Sequence, residues 1–194
     1  MCAFSKDDVK LGVVGCGKMA SAILGGIAKN KFLNCDDIYL YDIDFEAAKA
    51  NEIIGNKVKD VAGCKSKWSY KAVETIDEAL TGADFVIISI LPGTFDEMES
   101  DVHAPEKYGI YQSVGDTTGP GGIVRALRNV PMFEEIAENI RRYCPNAWVI
   151  NYTNPMTLCM KALYYTFPEI RAFGCCHEVF GTQKFLVKVV EEKF

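Results

Sequence analysis

Residues 174–183 read GCCHEVFGTQ and set His177, one of only two histidines in the chain, beside Cys175 and Cys176. A thiol pair next to an imidazole is a group of side chains able to ligate a metal or move a proton. Its place, between a strand-like run and a helix-like one, is the rim where open α/β sheets bind ligands. The plain alternatives are that a cysteine at a strand end fills the core and that a lone histidine caps a helix.

A second chemistry-bearing stretch lies near the start. VVGCGKMASAILGGIA places Gly15, Gly17 and Ala20 in a G-x-G-x-x-A arrangement directly after an apolar run and into a helix-like one. Glycines permit the tight turn and close backbone approach, and the exposed N–H groups of a helix start stabilise a pyrophosphate. Asp42, at the end of the second strand-like run, is placed to accept hydrogen bonds from an adenosine ribose. A carboxylate there repels a 2′-phosphate, so NAD is expected rather than NADP. Asp42 could instead simply cap its strand end, and Asp44 could be the N-cap of the following helix.

Three loops carry the remaining polar candidates. QSVGDTTGPGG (112–122) is rich in glycine and hydroxyls, with Asp116 as its strongest polar residue. Arg125 just beyond it could meet a substrate carboxylate or could belong to a solvated helix face. In NYTNPM (151–156), Asn154 precedes Pro155, which suits a first helical turn, so Asn154 could cap that helix, a role that does not exclude another. The run from Ser89 through Pro92 to Gly93 ends the fourth strand and is expected beside the nicotinamide half through backbone contacts. His103 sits among charged residues in a helix-like stretch and is assigned no role.

These residues need a scaffold, and the pattern supplies one. VKLGVVG (9–15), DIYLYD (37–42), FVIISIL (85–91), AWVINY (147–152) and IRAFGCC (170–176) are strand-like and almost continuously apolar, which implies burial on both faces and a parallel sheet. Helix-like segments alternate with them: Met19 to Lys29, Phe45 to Asn56, Gly122 to Tyr143, Met156 to Phe167, and a last one from about Gly181. That is a βαβ series. The stretch from Gly55 to Thr75 mixes turn signals with a short Trp/Tyr pattern that could carry a third parallel strand. The expected fold is one Rossmann-like, doubly wound, mainly parallel α/β domain over residues 1–194.

The chain has 194 residues, 49% apolar and 24% charged, enough to bury a core without metal or disulfide staples. The net charge of −5 is interspersed, which points away from a nucleic-acid surface and towards a small-molecule partner. The start lacks the order of a secretory signal and the longest strongly apolar run is too short for a bilayer, so neither a membrane nor export is expected, and the cytoplasm is. Eight cysteines without a C-x-x-C pair read mostly as reduced, small apolar fillers.

From about Tyr39 onward the chain resembles glycoside hydrolase family 4, especially its α-galacturonidase and α-glucosidase-like members. The matching stretches are LYDIDFEAAKANEIIGN, ADFVIISILPG, DVHAPEKYGIYQSVGDTTGPGGIVRALRNVP, WVINYTNPM and GCCHEVFGTQ. The opening GCGKMASAILGGI also resembles pyrroline-5-carboxylate reductase, over about residues 9 to 34 only. The family likeness implies an oxidation–elimination–addition–reduction hydrolysis of an α-glycoside, with NAD and a divalent metal, typically manganese, and a homo-oligomer.

Carried onto this sequence, the likeness makes Cys176 a metal ligand, His177 the proton donor to the leaving group, and Asn154 a holder of substrate hydroxyls near the metal. Successive residues of an extended strand face opposite ways, so Cys176 and His177 do not easily share a metal, and Cys175 is expected to turn into the core. Two departures stand out. The family's first loop is G-G-G-S-like where this chain has Gly15-Cys16-Gly17-Lys18, and family members continue well beyond the equivalent of Phe194 with the part that completes the metal and substrate sites. A fragment, a truncated product or a chimera is therefore expected, with an incomplete metal site and NAD binding without catalysis as the alternative for the isolated chain.

Overall fold

A computed structural model describes residues 9–30, 35–59, 68–114, 116–176 and 178–193. The elements run β1 (Val9–Val14), α1 (Lys18–Asn30), β2 (Cys35–Tyr41), α2 (Phe45–Lys59), β3 (Ser69–Ala72), α3 (Ile76–Leu80), β4 (Phe85–Ile88), α4 (Phe95–His103), α5 (Gly119–Tyr143), β5 (Trp148–Asn151), α6 (Met156–Thr166), β6 (Arg171–Gly174) and α7 (Glu178–Lys193), with a 3₁₀ turn at Ala104–Tyr108. Among the described residues no helix is long and apolar enough to cross a membrane.

The six strands form one sheet in the order β3-β2-β1-β4-β5-β6, and every neighbouring pair is parallel. The order reverses direction at β1, which therefore has crossovers leaving on both faces of the sheet. This is the doubly wound arrangement the apolar runs imply, and its switch point lies between the ends of β1 and β4. The register aligns those ends closely: Val14 pairs with Ile88, Ile88 with Asn151, and Asn151 with Gly174. Residues just past these positions share one rim.

Each face of the sheet has its own core. Val14, Val86, Ile88 and Val149 meet Phe133, Ile140 and Leu163 from α5 and α6 on one side. Leu11, Val13, Ile38 and Leu40 meet Ala20, Leu24 and Ala48 from α1 and α2 on the other. Alternate residues of β1 thus feed different cores, which is why its sequence has no polar face.

Gly55 to Thr75 does hold a third parallel strand, pairing Ile38 of β2 with Tyr70 of β3. Trp68 and Tyr70 are buried, and Asn56 closes the edge by donating from Nδ2 to the Tyr70 carbonyl at 2.9 Å while its Oδ1 accepts from Tyr70 N–H at 3.0 Å. The long helix starts at Gly119 rather than Gly122, because Pro120 occupies its first turn, where no backbone donor is needed.

A candidate dinucleotide and substrate site

The first turn is built by its glycines and by residues far along the chain. Gly15 has φ +93°, and a Cβ there would stand 2.2 Å from the Ser89 carbonyl oxygen, so only glycine fits. Its N–H donates to the Tyr41 carbonyl at 2.8 Å. A Cβ on Gly17 would meet nothing within 4 Å, which leaves open space against the backbone at the entry to α1. That helix has no acid in its first turn, so its positive end is unopposed. Ala20 is fully buried, giving the third fingerprint position its packing role.

Cys16, between the two glycines, does not fill the turn. Its side chain is buried beneath it, and burial, with the nearby Asp42 charge, pushes the thiol up to about 12. The backbone therefore keeps the outward face. Asp42 Oδ2 accepts from Cys16 N–H at 2.6 Å and its Oδ1 from Asp44 N–H at 2.9 Å. Asp44 Oδ1 in turn accepts from Glu46 N–H at 3.1 Å, so Asp44 does cap α2. Asn51 Nδ2 on α2 donates to the Cys16 carbonyl at 2.7 Å. Nothing in the local pattern signals Asn51, since it acts across 35 residues.

A cavity of about 750 Å³ opens from this turn along the strand ends. Its wall includes Gly15, Gly17, Asp42 and Ser89 on one side and Asp116, Arg125 and Asn154 on the other. Seven residues singled out from separate stretches of sequence thus surround one space. Ile43, beside Asp42, is 85% exposed in the same wall, an apolar surface that reading by hydropathy would put inside. Pro92 is buried and outside the cavity wall.

The far wall is fixed by hydrogen bonds between strand ends. Thr153 Oγ1 accepts from Ile90 N–H at 2.9 Å, tying the end of β5 to that of β4. Asn151, fully buried, accepts from Thr153 N–H at 3.0 Å and donates to the Thr153 carbonyl. Asn129 on α5 donates to the Asn154 carbonyl at 3.0 Å. Pro155, not Asn154, is the N-cap of α6, and no side chain caps it. The capping alternative for Asn154 therefore falls away, and its side chain stands exposed at the cavity.

The cysteine pair differs from expectation. Cys175 is half-buried rather than core, and it lies beside Tyr152, a cavity-lining residue whose phenol is pushed up by burial and then by this neighbour. The Cys175 N–H still donates to the Asn151 carbonyl at 2.9 Å, and the residue falls on the same side of edge strand β6 as Phe173, which is 44% exposed, so that side is only partly covered. Cys176 is also half-buried and is not among the residues lining the cavity. His177 lies outside the described residues. Among the described residues no three His, Cys, Asp or Glu side chains cluster as a metal site would need.

The sheet order, the glycine turn and the rim cavity define a Rossmann-type dinucleotide-binding α/β domain. The chain belongs to family 4 of the glycosyl hydrolases, whose family model matches residues 10–192, including the opening glycine motif. It is 62% identical over 187 residues to the α-galacturonidase of Thermoanaerobacterium saccharolyticum, covering 95% of this chain and 40% of that one. It is 53% identical over 189 residues to the α-galacturonidase of Bacillus subtilis, covering 96% and 41%.

Among solved structures, lplD of Bacillus subtilis superposes with a TM-score of 0.83 at 52% identity, covering 96% of this chain and 42% of that one. The 6-phospho-β-glucosidase of Thermotoga maritima, solved with manganese, NAD⁺ and glucose-6-phosphate, shares the fold with a TM-score of 0.78 at 23% identity over 94% of this chain and 44% of that one. The chain thus spans about 40% of the length of the curated relatives it matches.

Proposed function

We propose that this chain is the NAD-binding portion of a family 4 glycosidase that acts on an α-galacturonide. The observation that carries the reading is the single cavity joining the glycine turn to Asp116, Arg125 and Asn154. The residues fit the cofactor. Open backbone at Gly17 and the unopposed start of α1 receive the pyrophosphate, Asp42 retains lone pairs for the ribose, and Ile43 offers an apolar platform to the adenine. Bound NAD⁺ supplies a hydride acceptor for a sugar hydroxyl.

The chain's own residues then orient the reactants. Ser89 holds the end of β4 against β1 by donating its N–H to the Val14 carbonyl at 2.9 Å, which sets the path of the nicotinamide half, with Pro92 shaping the same segment. Asn154 and Asp116 present an amide and a carboxylate to the sugar hydroxyls, and His177 delivers the proton to the departing oxygen. A divalent metal does not fit the described residues alone, since Cys176 offers a single thiol and no three His, Cys, Asp or Glu side chains cluster among them. That shortfall favours a second statement about the isolated 194-residue chain: it binds NAD⁺ without turning over glycoside.

Isothermal titration of the chain with NAD⁺ and NADP⁺ tests the reading. Binding of NAD⁺ with at least about tenfold preference over NADP⁺ is expected from the Asp42 carboxylate. No NAD⁺ binding to folded protein would rule against the proposal, and release of galacturonate from an aryl α-galacturonide by this chain would refute the non-catalytic statement.

A further inference from the structure

Arg125, in the second turn of α5, is only 3% exposed yet lines the cavity. Its Nε and Nη1 are buried with no hydrogen-bond partner. A buried cation with unanswered donors is costly in a folded protein. Arg128, three residues on, also has a buried Nε without a partner, but its guanidinium grips the Asp101 carboxylate through Nη1 at 3.2 Å and through a close Nη2 contact, whereas Arg125 has no such carboxylate on Nε or Nη1. Burial, with Arg128 beside it, lowers the Arg125 pKa from its ordinary value, and Asp116 and Asp101 offset this only in part. Asp116 reaches neither Nε nor Nη1.

Resting on the glycosidase reading above, we infer that Arg125 is the specificity-determining residue that receives the carboxylate of a uronate substrate and selects it over the neutral hexose. The charged groups that act on Arg125 are Arg128, Asp116 and Asp101, none of them from the glycine turn. One helical turn beyond it, Asn129 holds the Asn154 carbonyl, so this face of α5 serves the sugar's end of the cavity. The pyrophosphate has its own donors at Gly17 and α1. Unanswered, positively charged N–H donors on a planar guanidinium suit a singly charged carboxylate. Asp116 in the same wall disfavours a phosphate dianion relative to a singly charged carboxylate.

The test uses the 194-residue chain saturated with NAD⁺ and titrated with galacturonate, its methyl ester and galactose. The ester keeps the ring hydroxyls and removes the charge. Galacturonate should bind at least about tenfold more tightly than either neutral sugar. Arg125→Gln should erase that preference, leave the weaker neutral binding and keep NAD⁺ affinity within about twofold, while Arg125→Lys should retain part of the preference.

Equal affinity for acid and ester, or a preference that survives Arg125→Gln, overturns the inference while NAD⁺ binding leaves the family reading intact. An equal loss for all three sugars also overturns it. Should Arg125→Gln fail to fold by circular dichroism, the acid–ester comparison on the unaltered chain decides alone. Absence of NAD⁺ binding removes both.

Discussion

Among the described residues the thiols divide into two chemical populations, and the division is measurable. Burial pushes Cys16 and Cys144 up to about 12, and burial also raises Cys159, whereas Cys175 and Cys176 are half-buried at the rim. Iodoacetamide at pH 8 should therefore modify Cys175 and Cys176 on the order of a hundredfold faster than Cys16 and Cys144, read by peptide mass mapping. The same shift acts on stability. An unfolded thiol ionises near 9.0 and these two ionise near 12, so their contribution is complete below pH 9 and is lost as pH climbs towards 12. Each should remove at most about 1.4 kcal/mol per pH unit in that window, visible as a melting temperature that falls between pH 9 and 11.

Most of this residue-level picture was legible in the sequence. Isolated cysteines inside apolar runs, such as Cys144 and Cys159, read correctly as fillers. Cys175 did not, because alternation gives the side of the strand it takes but not whether that side is covered, and on edge strand β6 Phe173 stands exposed on the same side. Ile43 and Arg125 inverted the usual expectations, an apolar side chain exposed and a cation buried. Such inversions arise where a surface is shaped for a ligand rather than for water, and composition does not reveal them.

At the scale of elements, β1 and β4 touch through a glycine. The Gly15 backbone lies so close to Ser89 that Gly15→Ala should cost about 2–4 kcal/mol, from both the left-handed backbone and the collision, read as an earlier urea midpoint. It should also abolish NAD⁺ binding, since the turn must move. The alternation of apolar runs with amphipathic stretches is enough to place β1, β2, β4, β5 and β6 and their parallel pairing. The five-residue α3 was missed, being too short to display a helical period. Also invisible were the ties that set the cavity wall, because Thr153 meets Ile90 across 63 residues and Asn129 meets Asn154 across 25.

Over the whole molecule, six parallel strands deliver their carboxyl ends to one rim, and everything proposed for function sits there. The helix that follows the last strand is different in character. On α7, Phe180, Phe185, Leu186, Val187 and Val190 are each more than half exposed, five large apolar side chains of one helix left to water. The chain should accordingly bind anilinonaphthalene sulfonate while fully folded. Replacing Phe185 and Val190 together by Glu should cut that fluorescence by about half or more without lowering the thermal midpoint.

The glycine turn is held from downstream, by Asp42 across 26 residues and by Asn51 across 35. A nascent chain that has released only β1 and α1 from the ribosome carries every glycine of the fingerprint but not the clasp that shapes it. Nucleotide capture must then wait until α2 has docked, so cofactor supply can rescue late misfolding of this chain but not its earliest steps.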